Sequence, residues 1–260
     1  MSRPLDFSGR AALITGGSRG IGRGIAEAFL AAGADVAVCG RKEPDELPST
    51  GGKSAIFVSA DVRDAEQVEK MVTEVVEQLG RLDVLVNNAG GAPFAEAATA
   101  SPRFSEKVLQ LNLTAAIHCA QQANRVMQGQ DSGGSIINIA SVSGVRPSPG
   151  TAVYGAAKAG LINLTGTLAI EWAPKVRVNA ISAGLIRTEQ AHLHYGDEEG
   201  IGRVAETVPL KRLGTPEDIA GACLYFASPL ASYVSGANLV LHGGGETPAF
   251  LSAASVNRGE

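Results

Sequence analysis

Short β-branched or apolar runs alternate with longer amphipathic segments along nearly the whole chain, and no other feature restricts the fold as much. The rhythm opens with runs at 11–15, 22–32 and 36–39, then 55–59, a helical stretch at 65–78, and an almost wholly apolar run at 82–87. A helix is expected near 106–121, and strands at 135–140, 176–181 and 239–242, with helices at 152–172 and 216–226 between them. Strands this uniformly apolar are covered on both faces. About seven strands joined by helical crossovers imply an α/β fold: a doubly wound, Rossmann-like parallel sheet with helices on both faces and ligands beyond the carboxyl ends of its strands.

Two stretches break the rhythm. Residues 42–52 (KEPDELPSTGG) are polar and turn-forming, so a solvated connection is expected there. Residues 187–209 are longer than a core connection needs and mix Leu193, Tyr195 and Ile201 with Gly196, Gly200 and Gly202, the pattern of a lid loop. The 260 residues, 45% apolar and 18% charged, exclude a disordered or collagen-like chain and suffice for one large core. With no internal linker, residues 1–260 read as one domain. Cys39, Cys119 and Cys223 form no CxxC pair, which favours a reducing compartment and excludes a disulfide framework. The first ten residues lack an apolar signal core, and the uncharged run 219–242 is broken by Ser228, Pro229 and Gly236. A cytoplasmic protein with no membrane span is expected. A net charge of −4 without a dense Lys/Arg tract gives no footprint for nucleic acid or anionic lipid.

After the first strand, Thr15-Gly16-Gly17-Ser18-Arg19-Gly20-Ile21-Gly22 leads into a helix. A turn at a helix N-terminus aims backbone N–H groups and the positive dipole end at one point, which suits a pyrophosphate. Gly16 permits the tight turn, and Gly20 and Gly22 allow close approach. The spacing is not GxGxxG. A glycine-rich turn without a ligand is the bland alternative.

This octet resembles the TGxxxGxG segment of the short-chain dehydrogenase/reductase family. Asn87-Asn88-Ala89-Gly90 resembles the family's NNAG, Asp61-Val62 its adenine-side pair, Tyr154-x3-Lys158 its active-site pair, and Tyr233-Val234-Ser235-Gly236 the segment before its last strand. The likeness spans essentially the whole chain and resembles most the branch of 3-oxoacyl reductases and hydroxysteroid dehydrogenases. It implies hydride transfer between a nicotinamide and a carbonyl or secondary alcohol, with Tyr154 as general acid or base. Ser141, thirteen residues before Tyr154, corresponds to the serine that polarises the reacting oxygen, and Ser143 is its competitor. Asn112 corresponds to the asparagine whose main chain interrupts a helix and holds a water reaching Lys158.

Tyr154 and Lys158, four apart on a helix, share a face. Lowering a phenol from pKa near 10 to about 7 needs roughly 4 kcal/mol, about what one ammonium some 4 Å away supplies at an effective dielectric near 20. Lys158 alone is expected to suffice; a YxxxK surface pair is the alternative. By resemblance, the cofactor contacts are Gly16, Ser18, Arg19, Gly20, Ile21, Gly22, Asp61, Val62, Asn88, Ala89, Gly90, Tyr154, Lys158, Gly184, Ile186 and Thr188. The second strand lacks the terminal acid of NAD-selective sites and continues into Gly40, Arg41 and Lys42. Arg41 with Arg19 could clamp a 2′-phosphate, so NADP(H) is preferred and NAD(H) is the alternative, both arginines then being merely solvated.

Ser182-Ala183-Gly184 replaces the family's proline-glycine after the sixth strand, so a looser cofactor seat is expected. Pro93, Phe94, Val142, Val145, Pro149, Leu185 and the lid 191–195 with Leu193 and Tyr195, joined by Phe250 and Ser143, are candidate walls for a hydrophobic substrate such as an acyl thioester or a steroid-like ring. They could equally pack the lid. His192 and His194 lack further ligands, so no metal is expected. Leu161, Leu164, Leu168 and Ile170 resemble the family's dimerising face and imply a dimer or tetramer, unless they face the sheet. A dinucleotide-binding sensor without turnover, or an NAD-linked alcohol dehydrogenase, are the other readings.

Overall fold

The computed structural model describes residues 5–253. Seven parallel strands form the central sheet in the order β5 (Ile56–Ser59), β2 (Asp35–Gly40), β1 (Ala11–Thr15), β6 (Val84–Asn87), β7 (Gly134–Ser141), β8 (Val176–Ala183) and β9 (Asn238–Leu241). The strand order reverses between β1 and β6, which opens a crevice at their carboxyl ends.

Alternate strand residues feed two core halves. Ile14, Val38, Val86 and Ile137 point to one face, where Ile25 and Phe29 of α1 (Gly20–Ala31) meet Ile219, Cys223 and Phe226 of α8 (Pro216–Ala227). Leu13, Ala37, Leu85 and Ile136 point to the other, against α2 (Ala65–Leu79), α4 (Ala115–Gly129) and Leu168 of α5 (Ala152–Glu171). Local chemistry fixes the helix ends. Asp64 accepts from the backbone of Glu66 and Gln67 to start α2, Gly80 closes it at φ 78°, and Thr215 with Asp218 forms a reciprocal cap before Pro216 opens α8.

Four sequence expectations change. Residues 42–52 are not wholly irregular, because Ser49–Thr50 (β3) pairs antiparallel with Lys53–Ser54 (β4). The expected lid loop is largely helical: α6 (His192–Tyr195) and α7 (Glu198–Thr207), the latter started by Asp197, which accepts from the Gly200 N–H. Its glycines mask helices that carry their own small core of Ala191, Ile201, Val208 and Leu213. The helix expected near 106–121 is two, α3 (Pro102–Leu109) and α4, joined by a π-turn at Gln110–Thr114. Finally, Leu161 and Leu168 are buried within the chain and Leu164 packs on its core, so of the four suggested interface residues Ile170 alone is exposed. A short helix, α9 (Ala249–Ala253), ends the described residues. The 219–242 run resolves into α8, a 3-10 turn and β9, and among the described residues no helix is long and apolar enough to cross a membrane.

Candidate active site

β1 delivers the glycine turn to the crevice. Gly16 and Gly20 adopt φ of 62° and 54°, the left-handed region that glycine enters without penalty. A Cβ on Gly22 would stand 2.3 Å from the Gly16 carbonyl oxygen, so the turn closes only with glycine there. β6 braces it: Asn88 Nδ2 donates to the carbonyls of Thr15 (2.9 Å) and Gly16 (3.1 Å), and the Asn88 and Ala89 N–H groups both donate to Thr15 Oγ1 at 3.0 Å. Thr15 thus ties both strands together, a role that the sequence reading did not assign.

At the start of α1, the Gly20 N–H donates to Glu189 Oε1 at 3.0 Å. A carboxylate from the segment before α6 therefore stands where a phosphate oxygen would be held, so the turn fits an anionic dinucleotide. Glu189 was not foreseen. Thr188 lies beside it, its Cγ2 3.5 Å from where a Gly20 Cβ would project. Ile186 bridges to Gly214. Ala183, in the proline's place, lies within β8 and pairs with Ser141 on one side and Leu241 on the other, and the Gly184 N–H donates to Leu241 O at 2.9 Å. The segment is held by two ladders.

On the far side of β1, Gly40 ends β2 and Arg41 and Lys42 follow at exposed positions; Arg19 is exposed at the turn. Asp61 meets an unforeseen partner: Arg63 Nε and Nη2 grip its two oxygens and the Arg63 N–H donates to Oδ1 at 3.1 Å. Arg63, with a weaker contribution from Arg41, holds the Asp61 carboxyl below its usual pKa. Val62 is buried in the core.

Strand β7 ends at Ser141, whose hydroxyl accepts from the Ser143 N–H at 3.2 Å. Ser143 Oγ instead bonds Ser148 Oγ at 3.1 Å. Tyr154 and Lys158 rise from the first turns of α5. The Lys158 ammonium is 3% exposed, donates to the Ile139 carbonyl at 2.8 Å and lies 5.6 Å from the Tyr154 ring centroid. A Cβ on Gly90 would come within 3.2 Å of it and 2.7 Å of Asn112 Oδ1, so glycine leaves room for both. Asn112 sits in the π-turn, and its side chain accepts from the Gly91 N–H (2.8 Å) and donates to the carbonyls of Gly91 and Val108 (both 2.9 Å).

Burial pushes the Lys158 pKa down to about 8. Burial also raises Tyr154; the Ser141 hydroxyl pulls it down and the neighbouring Tyr195 pushes it up. Burial is the largest influence on the phenol, and the Lys158 ammonium is directed at the Ile139 carbonyl. Among the wall candidates, Phe94 lies against Gly150 and is 74% exposed, and an apolar hollow lined by Pro93, Phe104, Gly150, Val153 and Tyr154 adjoins it. Leu185 packs with the lid's small core, and Leu193 is exposed on α6.

A family profile described as enoyl-(acyl carrier protein) reductase matches residues 16–246, turn and Tyr154 included. The chain belongs to the short-chain dehydrogenase/reductase family. The chain is accordingly an NAD(P)-dependent oxidoreductase. Similar proteins include an L-rhamnose 1-dehydrogenase (NAD(P)(+)) of Azotobacter vinelandii, 38% identical over 89% of this chain and 94% of the relative. A 3-oxoacyl-[acyl-carrier-protein] reductase of Synechocystis is 36% identical over 92% and 97%. Among solved structures, a short-chain type dehydrogenase/reductase from Mycobacterium marinum superimposes with a TM-score of 0.86 at 35% identity, covering 94% and 98% of the two chains.

Proposed function

We propose that this oxidoreductase moves a hydride between NADP(H) and the carbonyl or secondary alcohol of a substrate with an apolar body, an acyl thioester or a steroid-like ring being the nearest classes. One observation carries the reading: Ser141, Tyr154 and Lys158 converge beside a phosphate-type turn whose N–H already holds a carboxylate. The bound nicotinamide supplies the hydride donor or acceptor and, when oxidised, a positive charge. Tyr154 gives its proton to the substrate oxygen in reduction and removes it in oxidation. Ser141 hydrogen-bonds that oxygen and the phenol. Lys158, anchored on Ile139, keeps an ammonium beside the ring and within reach of the nicotinamide ribose. Asn112 holds the Gly91 backbone and, with it, the NNAG wall.

Preference for NADP(H) is supported by exposed Arg41 and Lys42 after β2, where an NAD-selective site places an acid, with Arg19 across the turn. The same reading includes a homo-oligomer, now resting on exposed Ile170 rather than on the α5 leucines. Steady-state assays with acyl thioesters, steroids, sugars and simple ketones, each with NADPH and NADH, test it. Turnover with at least one carbonyl substrate and a kcat/KM at least about ten-fold higher with NADPH is expected. Equal efficiency with both cofactors would refute the preference.

A further inference from the structure

Among the described residues, two buried side-chain polar atoms lack a hydrogen-bond partner, and one of them is Arg146 Nε. Arg146 belongs to the connection from β7 to α5, five residues after Ser141 and eight before Tyr154. Its Nη1 donates to the Pro147 carbonyl at 3.0 Å, and its Nη2 pairs with Glu246 Oε1 from the segment after β9. Both side chains are little more than one-third exposed.

The Nε–Nη2 edge of a guanidinium matches the two oxygens of a carboxylate. At two other arginines that edge is filled: Arg81 gives Nε to Asp83 Oδ2 at 2.7 Å and Nη2 to Oδ1 at 2.6 Å, and Arg63 grips Asp61 the same way. At Arg146 it is half filled, because Glu246 meets Nη2 and leaves Nε–H unpaired. A buried charged donor without an acceptor is costly. A carboxylate spanning both nitrogens would satisfy it.

Glu246 is also carried on unusual backbone. Gly243, Gly244 and Gly245 precede it at φ of 64°, 96° and 88°, so its support is the chain segment with the widest dihedral freedom. The segment touches the lid, with Leu210 N–H donating to Gly243 O and Thr247 N–H to Thr207 O, both at 3.1 Å. Arg146 lies on the connection between Ser141 and Tyr154, its N–H donating to the Val142 carbonyl at 3.0 Å, and Glu246 comes from a segment bonded to the lid, so the pair lies between the candidate active site and the lid.

We propose that Arg146 reads a carboxylate at the far end of the substrate, accepting it on its Nε–Nη2 edge in exchange for Glu246. This deepens the oxidoreductase reading and rests on it. Among apolar-bodied carbonyl substrates this selects one with a free carboxylate, an oxo acid or the matching hydroxy acid, over a thioester, with its reacting oxygen at Tyr154 and its apolar body along Phe94. Glu246 is the displaceable counter-ion that keeps the guanidinium paired until such a substrate arrives.

Matched oxo acids and their methyl esters, assayed with NADPH on the full-length protein, test the assignment. The acid is expected to exceed its ester in kcat/KM by about ten-fold or more. In Arg146→Met that ratio should collapse toward one, chiefly through KM for the acid, and in Arg146→Lys, which keeps charge without the fork, it should fall part of the way. Glu246→Gln should lower KM for the acid several-fold. An ester used as well as its acid by the wild type, or a ratio unchanged in Arg146→Met, would overturn the proposal while leaving the oxidoreductase reading intact. Calorimetric titration of butyrate gives a readout free of turnover. Binding that strengthens in Glu246→Gln and vanishes in Arg146→Met supports the site even if no oxo compound is reduced, an outcome that would count against the Tyr154 chemistry alone. Absence of binding to both wild type and Glu246→Gln, or its survival in Arg146→Met, contradicts it.

Discussion

Lys158 is an ammonium that the fold encloses almost completely, and its pKa records the cost. An unfolded lysine titrates near 10.5, the folded one at about 8, so between these values the unfolded chain binds more protons. Stability therefore rises as pH climbs from about 8 to 10.5, and below pH 8 the full penalty of about 3 kcal/mol is present. Lys158→Met should erase that rise. Urea unfolding of both proteins near neutral pH and at pH about 10 checks it; parallel pH profiles would contradict the buried-charge account. At this scale, sequence singled out Ser141, Tyr154 and Lys158 as candidates, and the structure brings them together while Ser143 Oγ bonds Ser148 Oγ instead. Burial of the phenol and the direction of the Lys158 hydrogen bond are tertiary properties that no local pattern shows. Arg63 and Thr15 were legible as residue types but not as partners.

The elements around the cleft were legible in proportion to how repetitive their patterns are. Buried parallel strands announce themselves by uninterrupted apolar residues, and each was placed within two residues of its observed ends. The β3–β4 hairpin has strands too short for any period to show. The break at Gln110–Thr114 was not legible from the apolar pattern and was anticipated only through the resemblance at Asn112. Glu189 lies 169 residues from Gly20, beyond the reach of any local pattern. Its carboxylate competes with phosphate for the first N–H of α1, and its charge repels a nearby pyrophosphate. Glu189→Gln should therefore bind NADPH about three- to ten-fold more tightly. Fluorescence titration of the cofactor measures this, and weaker binding would mean that Glu189 supports the cofactor instead of opposing it.

Across the whole molecule, strand order assembles the site. β1 and β6 diverge to open the crevice, β7 carries Ser141 to its edge, and β8 and β9 bring the lid and the Glu246 segment alongside. The sheet class and its active end followed from alternation alone, because parallel strands need crossovers and crossovers need helices. The helical lid did not, since its glycines read as loop. The central claim is that the Tyr154 hydroxyl is the proton carrier for a cofactor held at the β1–α1 turn. Turnover and NADPH affinity of Tyr154→Phe, measured side by side, test it most directly. Loss of at least about a hundred-fold in kcat with cofactor affinity unchanged within about three-fold is expected. A variant that turns over at the wild-type rate would contradict the account.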